Sequence, residues 1–185
     1  MTGRLIALAG RAGSGKSAAA KALPYDWDRR KFADPLKNML RALYRTAGLA
    51  EAEIERRIEG DLKEVPDPIL CGATPRWAMR SLGTEWGRCL IDPGLWVSIA
   101  ERGVASAIAA GRAVVIDDCR FPNEAEAVRR LGGRVVMIER PGADVAAAHS
   151  SEAFDFTADA TIWNVGPLEA LRDAARALAD RETEE

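Results

Sequence analysis

Apolar positions along the chain follow two spacings. Uninterrupted runs stand at Leu5–Ala9, Ala113–Ile116, Arg134–Ile138 and Ala160–Trp163. Short runs of this kind, bounded by polar turns, predict strands buried on both faces. A weaker fifth strand is predicted at Arg30–Ala33. Elsewhere the period is helical. Leu36, Met39, Leu40, Leu43 and Tyr44 recur at i, i+3, i+4, i+7 and i+8, one face of an amphipathic helix. Leu95, Ile99, Val104 and Ile108 repeat that pattern loosely, as do Leu168, Leu171, Ala175 and Leu178. "DP" at 34–35, "TP" at 74–75, "DP" at 92–93 and "GP" at 166–167 each set a capping residue before a proline suited to a first helical turn. Gly132-Gly133 is expected to end a helix that begins near Pro122 and to turn into the next strand.

Strands alternating with helices predict an α/β domain, a doubly wound parallel sheet of five strands covered by helices on both faces. The helical stretch from 34 to 110 is too long for one crossover, so part of it is expected to form a lobe over the strand ends.

Composition narrows the class. A chain of 185 residues fits one domain, with or without an insertion. The formal net charge of −2 gives no field that would favour nucleic acid or an anionic membrane as partner. No apolar stretch approaches the ~20 residues of a membrane span. "LIALAG" runs straight into a glycine loop, which is not a signal-peptide pattern. Cys71, Cys89 and Cys119 lack CxxC spacing, and a reducing cytoplasm is the expected compartment. One histidine, His149, leaves no basis for a histidine-rich metal site.

The chemistry begins at "GRAGSGKS", residues 10–17. It satisfies GxxxxGK(S/T), preceded by a strand and followed by an alanine-rich helix. Glycines let the backbone turn tightly and aim successive N–H groups at phosphate oxygens, and the helix N-terminus adds partial positive charge. Lys16 would reach the β- and γ-phosphates, and the Ser17 hydroxyl would ligate Mg²⁺. "AVVIDD" (113–118) is an apolar strand ending in two aspartates, the form of a magnesium-side strand. Spacing alone leaves Asp117 and Asp118 equivalent.

The fate of the phosphate is read from what else is present. There is no guanine-reading NKxD stretch, and the Asp117–Asp118 strand runs into "CRFPNEAEA" rather than a water-activating glutamate. Lys37, Arg76, Arg88, Arg120 and Arg140 lie near expected strand and helix ends. Cations so placed clamp a second phosphate and spread charge during phosphoryl transfer. The pattern fits a kinase of a small acceptor that is already phosphorylated. Its acceptor oxygen is ionised at neutral pH, so no general base is needed.

Seven segments then carry a resemblance: "GRAGSGKS" (10–17), "FADPLK" (32–37), "TPRWAMRSLGTEWGR" (74–88), "LWV" (95–97), "DCRFPNEAEAVRRLGG" (118–133), "HSSE" (149–152) and "DATIWNVGPLEAL" (159–171). In this order they resemble deoxynucleoside monophosphate kinases of the bacteriophage type, within the P-loop nucleoside monophosphate kinases. The resemblance implies a core at 1–33 and 111–181, a helical acceptor-binding insertion at about 34–110 and a short lid at about 139–152. It implies ATP and Mg²⁺ as cofactors and nucleotides as small-molecule partners, and leaves homodimer formation open. It assigns donor phosphates to Ala12, Gly13, Ser14, Gly15, Lys16 and Ser17, and prefers Asp118 for the metal. Phe32, Asp34 and Lys37 would lie near the acceptor. Arg76, Arg80, Arg88 and Arg120 would be acceptor-side cations, Trp86 and Trp96 walls for the base, and Lys16, Arg88, Arg120 and Arg140 the catalytic cations. Arg80 stands where the family carries glutamine, so base preference is expected to differ here, because arginine donates but does not accept hydrogen bonds. Two alternatives stay open: a phosphomevalonate-like acceptor, and a nucleotide-binding regulator without turnover.

Several of these residues also have plainer readings. Asp34 could be a helix cap alone, the tryptophans could be core, and Arg88 and Arg120 could be ordinary ion pairs. Arg76 near a helix start is disfavoured by the helix dipole, a modest argument for function.

Overall fold

The structure is a computed structural model that describes residues 4–142 and 154–184. The chain divides into two compact units, Met1–Phe32 with Ala100–Glu185, and Ala33–Ile99. The first contains a five-stranded, all-parallel sheet in the order β2-β3-β1-β4-β5. Its strands are β1 (Leu5–Ala9), β2 (Asp28–Arg30), β3 (Val114–Cys119), β4 (Arg134–Glu139) and β5 (Ala160–Trp163). The doubly wound α/β architecture expected from the alternating pattern is therefore observed.

Strand alternation sorts the core into two layers. Ile6, Leu8, Val115, Val136, Ile138 and Ile162 face one side and bury against α1 (Lys16–Ala22) and α7 (Leu168–Glu184), through Ala19, Ala20, Leu171, Ala175 and Ala179. On the other side α6 (Pro122–Arg130) packs on β1 and β4. Close approach there depends on a glycine: a Cβ at Gly133 would stand 2.5 Å from Leu5 Cγ.

The second unit holds α2 (Asp34–Thr46), α3 (Glu51–Ile58), α4 (Pro75–Ser81) and a ten-residue π-helix, Leu82–Ile91. α5 (Leu95–Ala109) begins in this unit and ends in the first. Leu36, Leu40, Tyr44, Ile54, Ile58, Met79 and Trp96 form its core. Asp67 organises the loop after α3. It is 3% exposed, and its carboxylate accepts from Tyr44 Oη–H at 3.0 Å, Arg57 Nε–H at 2.8 Å and the Ile69 N–H at 2.9 Å. Burial, and then the bond to Asp67, push the Tyr44 phenol pKa upward.

Several local expectations are corrected. The edge strand is Asp28–Arg30, not Arg30–Ala33, because the Phe32 N–H donates to Asp118 Oδ1 at 2.8 Å instead of continuing the ladder. Asp34 is the first residue of α2 rather than its cap, which is Ala33. Its charge there complements the helix dipole. Thr74 does cap α4, accepting from the Trp77 N–H at 3.1 Å. Asp92 accepts from the Gly94 N–H at 2.7 Å in a turn that precedes α5. Likewise, Gly166-Pro167 precedes α7, which starts at Leu168. On α2 only Leu36, Leu40 and Tyr44 of the expected stripe are buried. Met39 and Leu43 are 40% and 45% exposed. In α5 the buried set is Trp96, Val97, Val104 and Ala107, while Ile99 is exposed.

Candidate active site

The 10–17 loop joins β1 to α1. Gly10, Gly13 and Gly15 have φ of 143°, 75° and 106°, values that favour glycine. Space is as tight as conformation at two of them. A Cβ on Gly10 would meet the Ile138 carbonyl oxygen at 2.5 Å, and one on Gly15 would meet Leu171 Cδ2 at 2.7 Å. Lys16 Nζ–H donates to the carbonyls of Gly10 (2.5 Å) and Arg11 (2.8 Å), so the amine lies across the loop. Ser17 is exposed in the first turn of α1. Ala12 and Gly13 are exposed, whereas Ser14 is buried and its Oγ has no hydrogen-bond partner.

β3 lies beside β1, as a magnesium-side strand requires. Their register slips at the loop end: Ala7 faces Ile116, but Ala9 faces Cys119. The extra residue in β3 falls at Asp117–Asp118, and a bulge of this kind re-aims side chains. The two carboxylates are thereby differentiated. Asp118 Oδ1 receives the Phe32 N–H, while Asp117 Oδ1 is buried, accepts no hydrogen bond and lies 4.0 Å from Lys31 Nζ. A buried carboxylate oxygen that accepts no hydrogen bond is costly unless something satisfies it. The Ser17 hydroxyl and the Asp117–Asp118 carboxylates are hard oxygen donors of the kind that could hold Mg²⁺, an ion that takes one or two protein oxygens and fills its shell with water and phosphate. Among the described residues no group of three or more His, Cys, Asp or Glu could hold an ion by itself. Cys119 is fully buried, and burial pushes its thiol pKa upward, so it packs as a hydrophobe.

Past β3, Glu124 Oε2 accepts the N–H groups of Arg120 (2.8 Å) and Phe121 (3.1 Å), closing the start of α6. The Arg120 side chain is exposed above this fixed backbone. Arg140, exposed at the end of β4, points its guanidinium to the Gly13 carbonyl at 3.5 Å. The lid expected at 139–152 falls mostly on 143–153, outside the described residues, as does His149.

The other expected site residues lie in or beside the second unit. Phe32 is buried, 4% exposed. Lys37 is 7% exposed and pairs with Glu59 at 2.6 Å, next to Arg41. Arg76 pairs with Glu64 on the surface. Arg80 is exposed near the end of α4. In the π-helix, Arg88 donates to the Pro93 carbonyl at 3.2 Å. Trp96 is core, 2% exposed, with Nε1–H on the Gly83 carbonyl at 2.8 Å, and Trp86 leans on it with ring centroids 5.9 Å apart. Sequence reasoning passed over Glu59, Glu124 and Asn164. Asn164 offered a signal: an asparagine standing between a strand and a Gly-Pro turn.

A parallel sheet of this order, with a GxxxxGKS loop leaving its central strand, is the architecture of the P-loop kinases. Comparison with known proteins takes the assignment further. No family model matches the chain. An Acanthamoeba polyphaga mimivirus protein named "Putative deoxynucleotide monophosphate kinase" is 35% identical over 159 residues, 80% of each chain. The chain belongs to the deoxynucleotide monophosphate kinase family. Among solved structures, TT1252 from Thermus thermophilus aligns over 100% of this chain and 98% of its own, with a TM-score of 0.53 at 18% identity, and so shares the fold. A sugar kinase from Janibacter sp. HTCC2649 aligns over 97% of this chain and 95% of its own, with a TM-score of 0.48 at 15% identity.

Proposed function

We propose that the chain transfers the γ-phosphoryl group of ATP to a (deoxy)nucleoside monophosphate, giving ADP and the diphosphate. The observation that carries the chemistry is the 10–17 loop at the end of β1, beside the Asp117–Asp118 bulge of β3. The acceptor class is taken from the name of the mimivirus relative.

Backbone N–H groups of Ala12 to Ser17 would bind the donor phosphates, and Lys16 would leave its carbonyl partners for the β- and γ-oxygens. Ser17 and the Asp117–Asp118 pair would hold Mg²⁺, which supplies charge neutralisation of the phosphates when bound. Asp118 is the residue that the family resemblance indicates, and Asp117 carries a buried oxygen without a hydrogen bond, 4.0 Å from Lys31 Nζ. Arg140 and Arg120 would face charge on the transferring group. An acceptor phosphate oxygen attacks phosphorus as the bond to the β,γ-bridging oxygen breaks, and ADP leaves. That oxygen is already ionised, so no side chain must remove a proton. Asp34, Lys37, Arg76, Arg80, Trp86 and Arg88 are the proposed acceptor set; Phe32 and Trp96, 4% and 2% exposed, are core residues.

The test is an ADP-release assay over deoxynucleoside and nucleoside monophosphates with ATP and Mg²⁺. Release that depends on a nucleoside monophosphate is expected. Release confined to non-nucleotide phosphates, or ATP binding with no acceptor-dependent release, would overturn the reading.

A further inference from the structure

The polar contacts of the 10–17 loop include one that comes from far along the chain. Asn164, the residue after β5, donates from Nδ2–H to the Ser14 carbonyl oxygen at 2.9 Å, across 150 positions of sequence. Asn164 is itself fixed. Its backbone N–H donates to the Glu139 carbonyl at 2.7 Å, which ties it to the end of β4. Leu171 of α7, seven residues on, is 3% exposed and packs in the sheet core.

A trans peptide is planar, and its C=O and N–H point in opposite directions. The Ser14 carbonyl and the Gly15 N–H belong to one peptide unit. Holding that carbonyl on Asn164 therefore turns the Gly15 N–H away from the flank formed by β5 and α7. Gly15 permits this arrangement in two ways. Its φ of 106° suits glycine, and an added Cβ would lie 2.9 Å from Asn164 Nδ2. The Gly15 carbonyl is already committed to α1 through the Ala19 N–H at 2.9 Å. Both ends of the residue are thus held by fixed partners.

We infer that Asn164 is a positioning residue for the donor phosphates: it clamps the Ser14–Gly15 peptide so that the Gly15 N–H faces the phosphate. It touches no reacting atom and acts through the loop backbone. The inference rests on the proposed use of that loop to bind ATP. Preorganisation of this kind lowers the cost of ordering a donor when the anion arrives.

The test is Asn164→Leu, which keeps volume and removes the donor, and Asn164→Asp, which keeps shape and sets an acceptor against the carbonyl. Binding of ATP and of inorganic tripolyphosphate is titrated, KM is measured separately for ATP and for the acceptor, and melting is followed. The expected result is ATP and tripolyphosphate binding weakened about tenfold, on the scale of one lost hydrogen bond. KM for ATP should rise in step. KM for the acceptor, and kcat at saturating ATP, should stay within about twofold. A purely structural residue would lower the melting temperature without that split. Should Asn164→Leu fail to fold, Asn164→Asp decides alone. Folded variants that bind both probes as tightly as the unaltered protein would overturn the clamp and leave the kinase reading standing. An unaltered protein that binds neither probe would overturn the kinase reading, and the clamp with it.

Discussion

Lys16 is the residue on which the phosphoryl-transfer reading leans hardest. Its amine donates to two backbone carbonyls of its own loop, which hold its charge at the loop. Lys16→Ala should lower kcat/KM by about 10²–10³ or more, the scale of a lost electrostatic contact in a preorganised site. The protein should stay folded, because half-buried Lys16 belongs to neither core cluster. Turnover near the unaltered level would remove Lys16 from the mechanism. Asp67 makes the opposite case, a charged residue with a structural role. Its carboxylate is buried and holds Tyr44, Arg57 and the Ile69 N–H together. Asp67→Ala leaves a guanidinium and a phenol without their shared partner and should cost about 3–5 kcal/mol of stability. Tyr44→Phe removes one bond and should cost about 1 kcal/mol. Urea unfolding monitored by circular dichroism measures both. Equal losses for the two variants would show that Asp67 is not the centre of the network.

At the scale of elements, the π-helix Leu82–Ile91 shows why glycine stands at position 87. A Cβ there would meet Trp96 Nε1 at 2.4 Å and Cε2 at 2.5 Å, so Trp96 sits directly on the backbone of this helix. Gly87→Ala should cost about 1–3 kcal/mol by overpacking, and the Trp96 fluorescence should shift as its bond to the Gly83 carbonyl is disturbed. Unchanged stability and spectrum would contradict that contact. α3 makes a pH prediction. Bonds from Arg57 and then Arg56 hold the Glu53 carboxyl below its ordinary range, Arg45 does the same for Glu51, and Arg56 for Asp61. Lowered folded values mean that this stabilisation is complete above the unfolded values and is lost as pH falls through the folded ones. The melting temperature should drop between about pH 5 and pH 3, and less steeply in an E51Q/E53Q/D61N variant. Parallel melting curves for the two proteins would refute the assignment.

These elements also mark how far the sequence could be read. β1 and β4 are visible in the sequence because strands buried on both faces are nearly continuous apolar runs, whereas the edge strand β5 shows only as a short β-branched and aromatic run, of which Ile162 alone is buried. β2 was misplaced because "DRR" is a short polar edge strand, defined by pairing with β3 rather than by its own composition. Within the helical stretch expected over 34–110, α3 has no boundary legible in the sequence, because "EAEIERRI" offers only Ile54 and Ile58 to the core. In the site, the loop was legible because its glycines are needed by local conformation. The Asp117–Asp118 bulge was not legible, since it arises from the register between β3 and β1. Nor were the Lys37–Glu59 pair and the Asn164 contact, which depend on chain separations of 22 and 150 residues.

At the scale of the whole molecule, most of the proposed donor and acceptor residues fall in different units, so that the two proposed binding events can be followed separately. The 10–17 loop, proposed to bind the donor, belongs with Asn164 and Arg140 to the unit built on the sheet, and the proposed acceptor residues Arg76, Arg80, Trp86 and Arg88 belong to Ala33–Ile99. A ligand stabilises the state that binds it by RT ln(1 + [L]/Kd), about 2.7 kcal/mol at a hundred times Kd. Amide hydrogen exchange should therefore resolve two footprints. ATP with Mg²⁺ should protect residues 10–20 and 160–171, while leaving 75–91 close to its unliganded rate. A deoxynucleoside monophosphate alone should protect 75–91 and leave the 10–17 loop unchanged, because it offers no polyphosphate for that loop to wrap. Protection of 10–17 by the monophosphate alone would mean that the loop is the acceptor site and that the donor binds elsewhere. Protection of neither segment by the monophosphate, with the ATP footprint intact, would move the acceptor away from Arg76 and Arg88. The kinase chemistry would then keep its donor half, and its acceptor would have to be sought among other phosphorylated small molecules.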